Sequence, residues 1–186
     1  MAADGAGAFR TGDTVLIVKV PEAEPVVGPW RSRFDPAATA GVPAHITVLA
    51  PFLNRHLVDA TVVGELDALI GAHQVFEVDL VQCRRFPAVL YLAPEPAAGL
   101  RALTGAVAAR WPEAPPYGGQ FADVVPHLTI AHSQDQDVLD MIESDVGGRL
   151  PITARIGSVQ LMAYKAERWS DVRSFELAAA DGGTTG

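Results

Sequence analysis

The sequence predicts an α+β protein in which most strands are antiparallel. Segments with β-branched or alternating patterns and segments with helical spacing follow one another in the order β, α, β, α, β, β, α, β, α, β, β. This order offers few β-α-β crossovers and several strand pairs that are neighbours in sequence, which disfavours a simple parallel sheet. The length of 186 residues and the 49% share of hydrophobic residues favour one domain, or two small lobes packed together, with a substantial core.

Prolines divide the first half of the chain. A β-branched run, TVLIVKV, predicts a strand that ends near Pro21 and Pro25, and a second run, HITVLAPF, predicts a strand stopped by Pro51. Val62 and Leu66 then belong to a segment with helical spacing. The elements predicted here are strands at 14–20 and 45–52, a short helix at 30–40 and a helix at 57–72.

Alternation and helical spacing also define the second half. Phe76, Val78 and Leu80 alternate with the residues at 77, 79 and 81, two of which are acidic. This predicts a half-buried strand joined to its neighbour by a hairpin near 84–87. A loop at 112–123 is rich in Pro and Gly and is long enough for a functional lid. The elements predicted here are strands at 76–81, 88–93, 127–131, 152–164 and 169–177, and helices at 96–111 and 136–146.

The two ends of the chain differ from the rest in composition. Residues 1–12 and 178–186 are small, polar or glycine-rich and have no apolar periodicity, so we expect flexible termini. We expect residues 13–177 to form a single domain.

Charge and cysteine content disfavour several classes of function. The net charge of -8 argues against a broad surface for duplex DNA, although a small phosphate ligand could still bind in a cleft. Cys83 is the only cysteine, so no internal disulfide can form. The sequence shows no signal segment, no apolar run of membrane-spanning length and no H-E-x-x-H pattern. We therefore expect a cytoplasmic monomer with no cofactor, no metal and no membrane attachment.

One pattern occurs twice, a His and a Thr two residues apart inside a β-branched run. The copies are HITVLA, with His45 and Thr47, and HLTIAH, with His127 and Thr129. Residues two apart on a strand point to the same face, so each strand would have a polar face and an apolar face buried against helices. Two such strands side by side would surround one small site with two imidazoles and two hydroxyls. His132, five residues after His127, would lie on the opposite face of a regular strand.

These side chains suit a reaction at phosphorus. In-line displacement needs a base for the attacking oxygen and an acid for the leaving oxygen, and an imidazole with a pKa near about 6.5 can take either part. Thr hydroxyls can donate hydrogen bonds to the non-bridging oxygens. His45 and His127 would form the acid and base pair, and Thr47 and Thr129 would bind the phosphoryl oxygens.

The segments HITVLAPF and HLTIAH resemble the paired H-x-T/S-h signatures of the 2H phosphoesterase superfamily, which includes bacterial 2'-5' RNA ligase-like proteins and cyclic phosphodiesterases. The resemblance extends over the element order from about 13 to 177. It implies a bilobal fold with approximate two-fold symmetry, in which mostly antiparallel sheets flanked by helices surround a central cleft. It also implies metal-independent cleavage or joining of 2',3'-cyclic or 2'-5' phosphoester linkages.

A nucleotide substrate would need stacking surfaces and a cation near the cleft. Candidates close to the motif strands or loops are Phe52, Tyr91, Tyr117, Trp169 and Arg168. The acidic balance favours a small nucleotide or an RNA 2',3'-cyclic phosphate end over long RNA.

Three questions stay open at this point. Hydrolysis of a cyclic phosphate is the first hypothesis, and 2'-5' RNA ligation is the same chemistry in reverse. The alternative from another functional class is a binding module, which would hold nucleotides or RNA ends in the cleft without turning them over. The sequence does not assign the base and the acid between His45 and His127.

Overall fold

A computed structural model describes residues 9–120, 124–132 and 134–179 of the chain. The strands in chain order are β1 (Thr14–Lys19), β2 (His45–Leu49), β3 (Phe76–Phe86), β4 (Val89–Glu95), β5 (Leu128–His132), β6 (Ile152–Ile156), β7 (Ser158–Lys165) and β8 (Arg168–Glu176). The helices are α1 (Glu24–Phe34), α2 (Pro36–Thr39), α3 (Ala60–Gly71), α4 (Ala98–Arg110) and α5 (Gln136–Gly147). Short 3-10 segments lie at Pro21–Ala23, Arg55–Leu57 and Pro116–Gly119.

The strands form two antiparallel sheets with the orders β2-β1-β7-β8 and β5-β4-β3-β6. Each sheet therefore has one motif strand at an edge, and each sheet combines strands from both halves of the sequence. The predicted α+β class with antiparallel strands is confirmed. A parallel sheet is excluded because all of the strand pairs recorded within the described residues run antiparallel.

Helices α1 and α4 each pack on the motif strand from the other half of the chain. α1 precedes β2 in the chain but packs on β5, and α4 precedes β5 but packs on β2. One continuous core of aliphatic side chains lies between the helices and both sheets, and it includes Leu16, Ile46, Leu90 and Leu128. This exchange of helices ties the two halves together, and it leaves the opposite faces of β2 and β5 for the polar residues of the two motifs.

Three predicted elements differ from the observed ones. The strand expected at 76–81 continues to Phe86 because 84–86 pair with β4, so the hairpin turn lies at 87–88 and not near 84–87. The helix expected at 30–40 begins earlier, at Glu24, because Pro25 lies in its first turn, where a proline is tolerated. It ends before Asp35, whose carboxylate accepts from Ala37 N and caps α2. The strand expected at 152–164 is two strands, β6 and β7, separated at Gly157.

The predicted flexible termini lie partly outside the described residues. Near the N-terminus, the centroid of the Phe9 ring lies 5.2 Å from that of Tyr164 and 5.3 Å from that of Trp169. Gly12 N donates a hydrogen bond to Tyr164 O. At the other end, Ala178 N donates to His73 O. The folded part therefore extends beyond 13–177 at both ends, because an apolar ring and backbone hydrogen bonds hold these residues.

Cys83 packs half-buried against the core, on the face of β3 opposite the motif face. Burial and, to a smaller extent, the nearby Glu143 carboxylate raise the pKa of its thiol to about 11. Among the described residues, no helix combines the length and the apolar character needed to cross a membrane.

Candidate active site

The two motifs lie on neighbouring edge strands. β2 and β5 approach each other along the line where the two sheets meet. His45 and Thr47 are half-buried on one face of β2. Thr129 is half-buried on the corresponding face of β5, and His127, also half-buried, directly precedes that strand. Their chain neighbours on the other face are fully buried, as the period of two predicts. The structure thus brings all four predicted motif residues to one region.

A β-bulge follows the first motif. Thr47 pairs with Ile17 and Leu49 pairs with Leu16, so Val48 is an extra residue in β2. Val48 and Leu49 are both buried, so the alternation of buried and half-buried side chains is shifted by one residue after the bulge.

The second motif has the same bulge. Thr129 pairs with Tyr91 and Ala131 pairs with Leu90, so Ile130 is the extra residue in β5. His132 then pairs with Val89. Because Val89 and Tyr91 lie on the same face of β4, His132 returns to the face that carries Thr129. The expectation that His132 points to the opposite face is wrong, because it assumed a regular strand.

The two imidazoles have equivalent orientations. His45 Nδ1 lies 2.8 Å from Pro43 O, and His127 Nδ1 lies 2.7 Å from Val125 O. A carbonyl oxygen can only accept, so each Nδ1 carries the proton. Nε2 is therefore the nitrogen that each ring offers for proton exchange.

Aromatic rings surround His127. Phe86 and Tyr91 stack with their centroids 4.2 Å apart, and the His127 ring lies 5.2 Å from the first and 5.4 Å from the second. Burial in this environment lowers the pKa of His127, although its bond to Val125 O favours the protonated form.

A buried ion pair lies beside His45. Arg31 Nη2 is 2.7 Å from Asp35 Oδ2, and both side chains are at most 2% exposed. The guanidinium also donates to Val42 O, before the first motif, and to Thr129 O, in the second. Burial and the positive charge of Arg31 lower the pKa of His45 to about 4, against smaller opposing effects of the bond to Pro43 O and of Asp35. The charge of His127 contributes the smallest part of this decrease, so the two rings share one electrostatic site.

Tyr117 connects the predicted lid to the first motif. Its hydroxyl is hydrogen-bonded to the Thr47 hydroxyl, and its backbone N donates to Ala50 O at 2.7 Å. Burial raises the pKa of Tyr117 to about 12. The 3-10 segment Pro116–Gly119 of the loop at 112–123 therefore lies over β2, whereas 121–123 fall outside the described residues.

The predicted substrate-binding residues fall into two groups. Tyr91 and Tyr117 contact motif residues, as described above. Phe52 is buried in the core with its ring edge-on to Trp111, and Trp169 is buried between Phe9 and Tyr164, so neither presents a free face for stacking. Arg168 is exposed on the β7–β8 hairpin beside Gly41 and contacts no motif residue.

Sequence reasoning missed three side chains near the motifs. The Arg31–Asp35 pair has the i, i+4 spacing of a helical ion pair, which was the available signal. Lys19 pairs with His45 across β1 and β2, and its ammonium is 2.7 Å from Asp171 Oδ2. In the part of the chain that the structure describes, no three His, Cys, Asp or Glu side chains are grouped so that they could hold a metal ion.

Comparison with known families and structures gives a consistent result. The family model described as the 2'-5' RNA ligase superfamily matches residues 4–168. No curated protein matches the chain.

Solved structures match nearly the whole chain at low identity. Escherichia coli LigT in the apo form is 19% identical, with a TM-score of 0.59 over 90% of this chain and 98% of that one. The same protein complexed with 3'-AMP gives a TM-score of 0.60 at 19% identity, over 90% and 99% of the two chains. A protein of Thermus thermophilus is 17% identical, with a TM-score of 0.58 over 90% and 98%. The bilobal architecture expected from the paired motifs is therefore confirmed.

Proposed function

We propose that this chain, which belongs to the 2'-5' RNA ligase superfamily, is a phosphoesterase that hydrolyses 2',3'-cyclic phosphates, or related 2'-5' phosphodiesters, of nucleotides or RNA ends. The observation that carries the proposal is the equivalence of His45 and His127 on adjoining edge strands, each with Nδ1 bound to a backbone carbonyl. LigT, which shares the fold, has been crystallised with 3'-AMP, ATP and NADP+, which supports a small nucleotide ligand for this chain.

The reaction follows from the protonation of the two rings. A neutral imidazole accepts a proton at Nε2 from water while the water oxygen attacks phosphorus. The bond from phosphorus to the 2' or 3' oxygen breaks, and that oxygen takes a proton from Nε2 of the other, protonated ring. The product is a phosphomonoester, and exchange of protons with solvent restores the starting state. No metal is required, because the histidines supply both the acid and the base.

Charge on the phosphoryl group needs donors that are already in place. Thr47 and Thr129 lie two residues after the histidines and on the same strand faces. Their hydroxyls would donate to the non-bridging oxygens, whose charge increases in the transition state. Thr47 is additionally oriented by its hydrogen bond to Tyr117.

Hydrolysis of 2',3'-cyclic AMP by EDTA-treated protein tests the proposal, with 2'-AMP and 3'-AMP resolved by chromatography. We expect turnover in EDTA, and a loss of about 10²- to 10⁴-fold in both His45→Ala and His127→Ala, the usual contribution of acid-base catalysis. His56→Ala is the matched control. His56 is exposed, and its ring is hydrogen-bonded to the side chain of Asn54, away from both motifs.

Each outcome has a clear meaning. Turnover that survives in either motif variant would exclude two-histidine catalysis. Tight nucleotide binding without turnover of cyclic phosphates, 2'-5' linkages or RNA ends would favour a binding module, and joining of RNA ends without hydrolysis would favour a ligase.

A further inference from the structure

A cavity of about 620 Å³ lies beside the end of β5, after the second motif. Its walls come from α2 and the turn after it, from the start of β4 and from the β7–β8 hairpin. The volume falls within the roughly 300–1,000 Å³ typical of small-molecule sites. It is therefore large enough for a ligand group of nucleoside size.

The cavity is continuous with the motif face of the second sheet. His132 and Val89 line it, and they pair across β5 and β4 two pairs beyond Thr129 and Tyr91, with Ala131 and Leu90 between them. Because of the bulge in β5, all four side chains of the first and last pairs lie on one face. Val89 is two residues from Tyr91, or about 7 Å along the strand. A phosphate at Thr129 is thus one sugar unit away from the cavity.

The lining combines aromatic and polar groups. Phe9, Phe34 and Tyr164 contribute aromatic surface to the wall. Phe34 already stacks on Trp30, and Phe9 packs on Tyr164, so a heteroaromatic base would contact the parts of these rings that face the cavity. Thr39 and Gln134 provide hydrogen-bonding groups at the wall. This composition resembles that of sites for nucleosides more than that of purely apolar pockets.

One cation at the cavity is available for an anion. The Arg33 guanidinium is exposed, lies 5.2 Å from the centre of the Phe34 ring and forms no ion pair with a carboxylate in the described ranges. Asp35, which also lines the cavity, is already neutralised by Arg31. Glu167 on the β7–β8 hairpin also lines the cavity, so Arg33 is the group there that a phosphate at the rim would bind.

We propose that this cavity binds the nucleoside whose cyclic phosphate lies between His45 and His127, and that Arg33 binds a second phosphate on the 5' side of that nucleoside. The inference rests on the proposed function and makes it more specific. The favoured substrate carries a 5' phosphate, either a free one on a mononucleotide or the phosphodiester of an RNA end.

The test compares three substrates: 2',3'-cyclic AMP, the same nucleotide with a 5'-phosphate, and a diadenosine with a 3'-terminal 2',3'-cyclic phosphate. We expect kcat/KM to be about tenfold higher for the two substrates with a 5' phosphate, in line with a charge-assisted hydrogen bond. Arg33→Gln should remove this advantage, so that the ratio of kcat/KM between each substrate with a 5' phosphate and 2',3'-cyclic AMP falls to about one. The relative rates of the two phosphorylated substrates separate a mononucleotide preference from an RNA-end preference.

A second variant tests the cavity itself. Thr39→Trp places a large ring at a wall position outside the core, and it should raise KM for all three substrates with little change in kcat. Arg101→Gln is the control, since Arg101 is an exposed arginine on α4 that does not line the cavity. Unchanged kinetics in both Arg33→Gln and Thr39→Trp, in a protein that turns over cyclic phosphates, would overturn the inference and leave the proposed function intact.

Equilibrium binding of adenosine 3',5'-bisphosphate separates the two proposals when turnover is absent. Binding that is weakened about tenfold in Arg33→Gln and also weakened in Thr39→Trp would support the cavity while the proposed function fails. Binding that is unchanged in both variants would overturn the cavity assignment as well.

Discussion

His45 and His127 are held by the same hydrogen bond, in which Nδ1 of each ring donates to the carbonyl of the residue two positions earlier in the chain. A bulge of one residue follows each motif at the same distance from the histidine, at Val48 and at Ile130. The two halves therefore present the same atom, Nε2, at the line where the sheets meet. Their surroundings differ, because a buried guanidinium lies near His45 and aromatic rings lie around His127.

The two lowered pKa values predict an acidic optimum for kcat/KM with 2',3'-cyclic AMP. The active form has one neutral and one protonated ring. In the free protein the pKa of His45 is about 4 and that of His127 lies below the usual 6.5. Above about pH 6.5 both rings are neutral, and below about 4 both are protonated, so kcat/KM should be highest between these values.

The profile of kcat should differ from that of kcat/KM. kcat reports the complex, in which the anionic phosphate favours the protonated rings and moves both limbs to higher pH. Rates measured from pH 4 to 9 in buffers of constant ionic strength provide the test. A kcat/KM that stays level between about pH 6.5 and 9 would contradict the prediction.

The same pKa values predict a loss of stability on acidification. In the unfolded chain each histidine binds a proton near pH 6.5, whereas folded His45 resists protonation down to about pH 4. The unfolded state thus binds more protons in this window, so the free energy of unfolding falls as the pH drops from about 6.5 to about 4 and is unaffected by these groups above it. Urea unfolding at several pH values between about 7 and 4.5 measures the slope.

A variant of both rings identifies the source of that slope. The double variant His45→Asn, His127→Asn removes both titrating groups while keeping a side-chain donor near each carbonyl. It should show a flatter dependence of stability on pH than the wild type. An equal slope in the two proteins would assign the effect to other groups.

The alternation of polar and apolar residues correctly predicted which face of each strand carries the motif residues. It failed at His132, five residues after His127. Within HITV and HLTI the period of two holds, so His and Thr share a face. The bulge changes the phase, and its sequence signal is slight: two adjacent apolar residues after the Thr, Val48 and Leu49 or Ile130 and Ala131, where alternation would place one. The face of His132 depends on this register, which only the paired strand fixes.

Long-range packing explains the other differences between prediction and structure. Phe52 and Trp169 were candidates for stacking on a base, but their rings fill the core and a second apolar cluster. Arg31 lies far from the second motif in sequence, and its role as a link between the motifs depends on the packing of α1 on β5. Burial of a paired arginine cannot be read from the spacing of Arg31 and Asp35 alone, because most pairs with this spacing are exposed.

The buried pair predicts a large effect of removing one charge. Arg31→Met leaves the Asp35 carboxylate buried without a cation, and we expect a loss of about 3–5 kcal/mol in the free energy of unfolding. The double variant Arg31→Met, Asp35→Asn removes both charges and keeps an oxygen that can accept from Ala37 N, so it should recover much of that loss. Urea unfolding of the three proteins measures both effects.

An exposed pair with the same spacing is the control. Arg149 and Asp145 form an i, i+4 ion pair at 2.8 Å, with 48% and 34% of their side chains exposed. Arg149→Met should cost much less than Arg31→Met, because solvent screens this pair. A similar cost for Arg31→Met would show that the buried pair contributes no more than a surface one.

The hydrogen bond between Tyr117 and Thr47 predicts coupled effects on catalysis. Tyr117→Phe removes the partner that orients the Thr47 hydroxyl, while the bond from Tyr117 N to Ala50 O remains available to hold the loop. A hydrogen bond of this kind contributes about 0.5–1.5 kcal/mol, so kcat/KM for 2',3'-cyclic AMP should fall by at most about tenfold. Thr47→Val removes the proposed phosphoryl donor itself and should reduce kcat/KM further. Because Tyr117 is proposed to act through Thr47, the double variant should be no slower than Thr47→Val alone, whereas additive losses would assign Tyr117 an independent contact with the substrate.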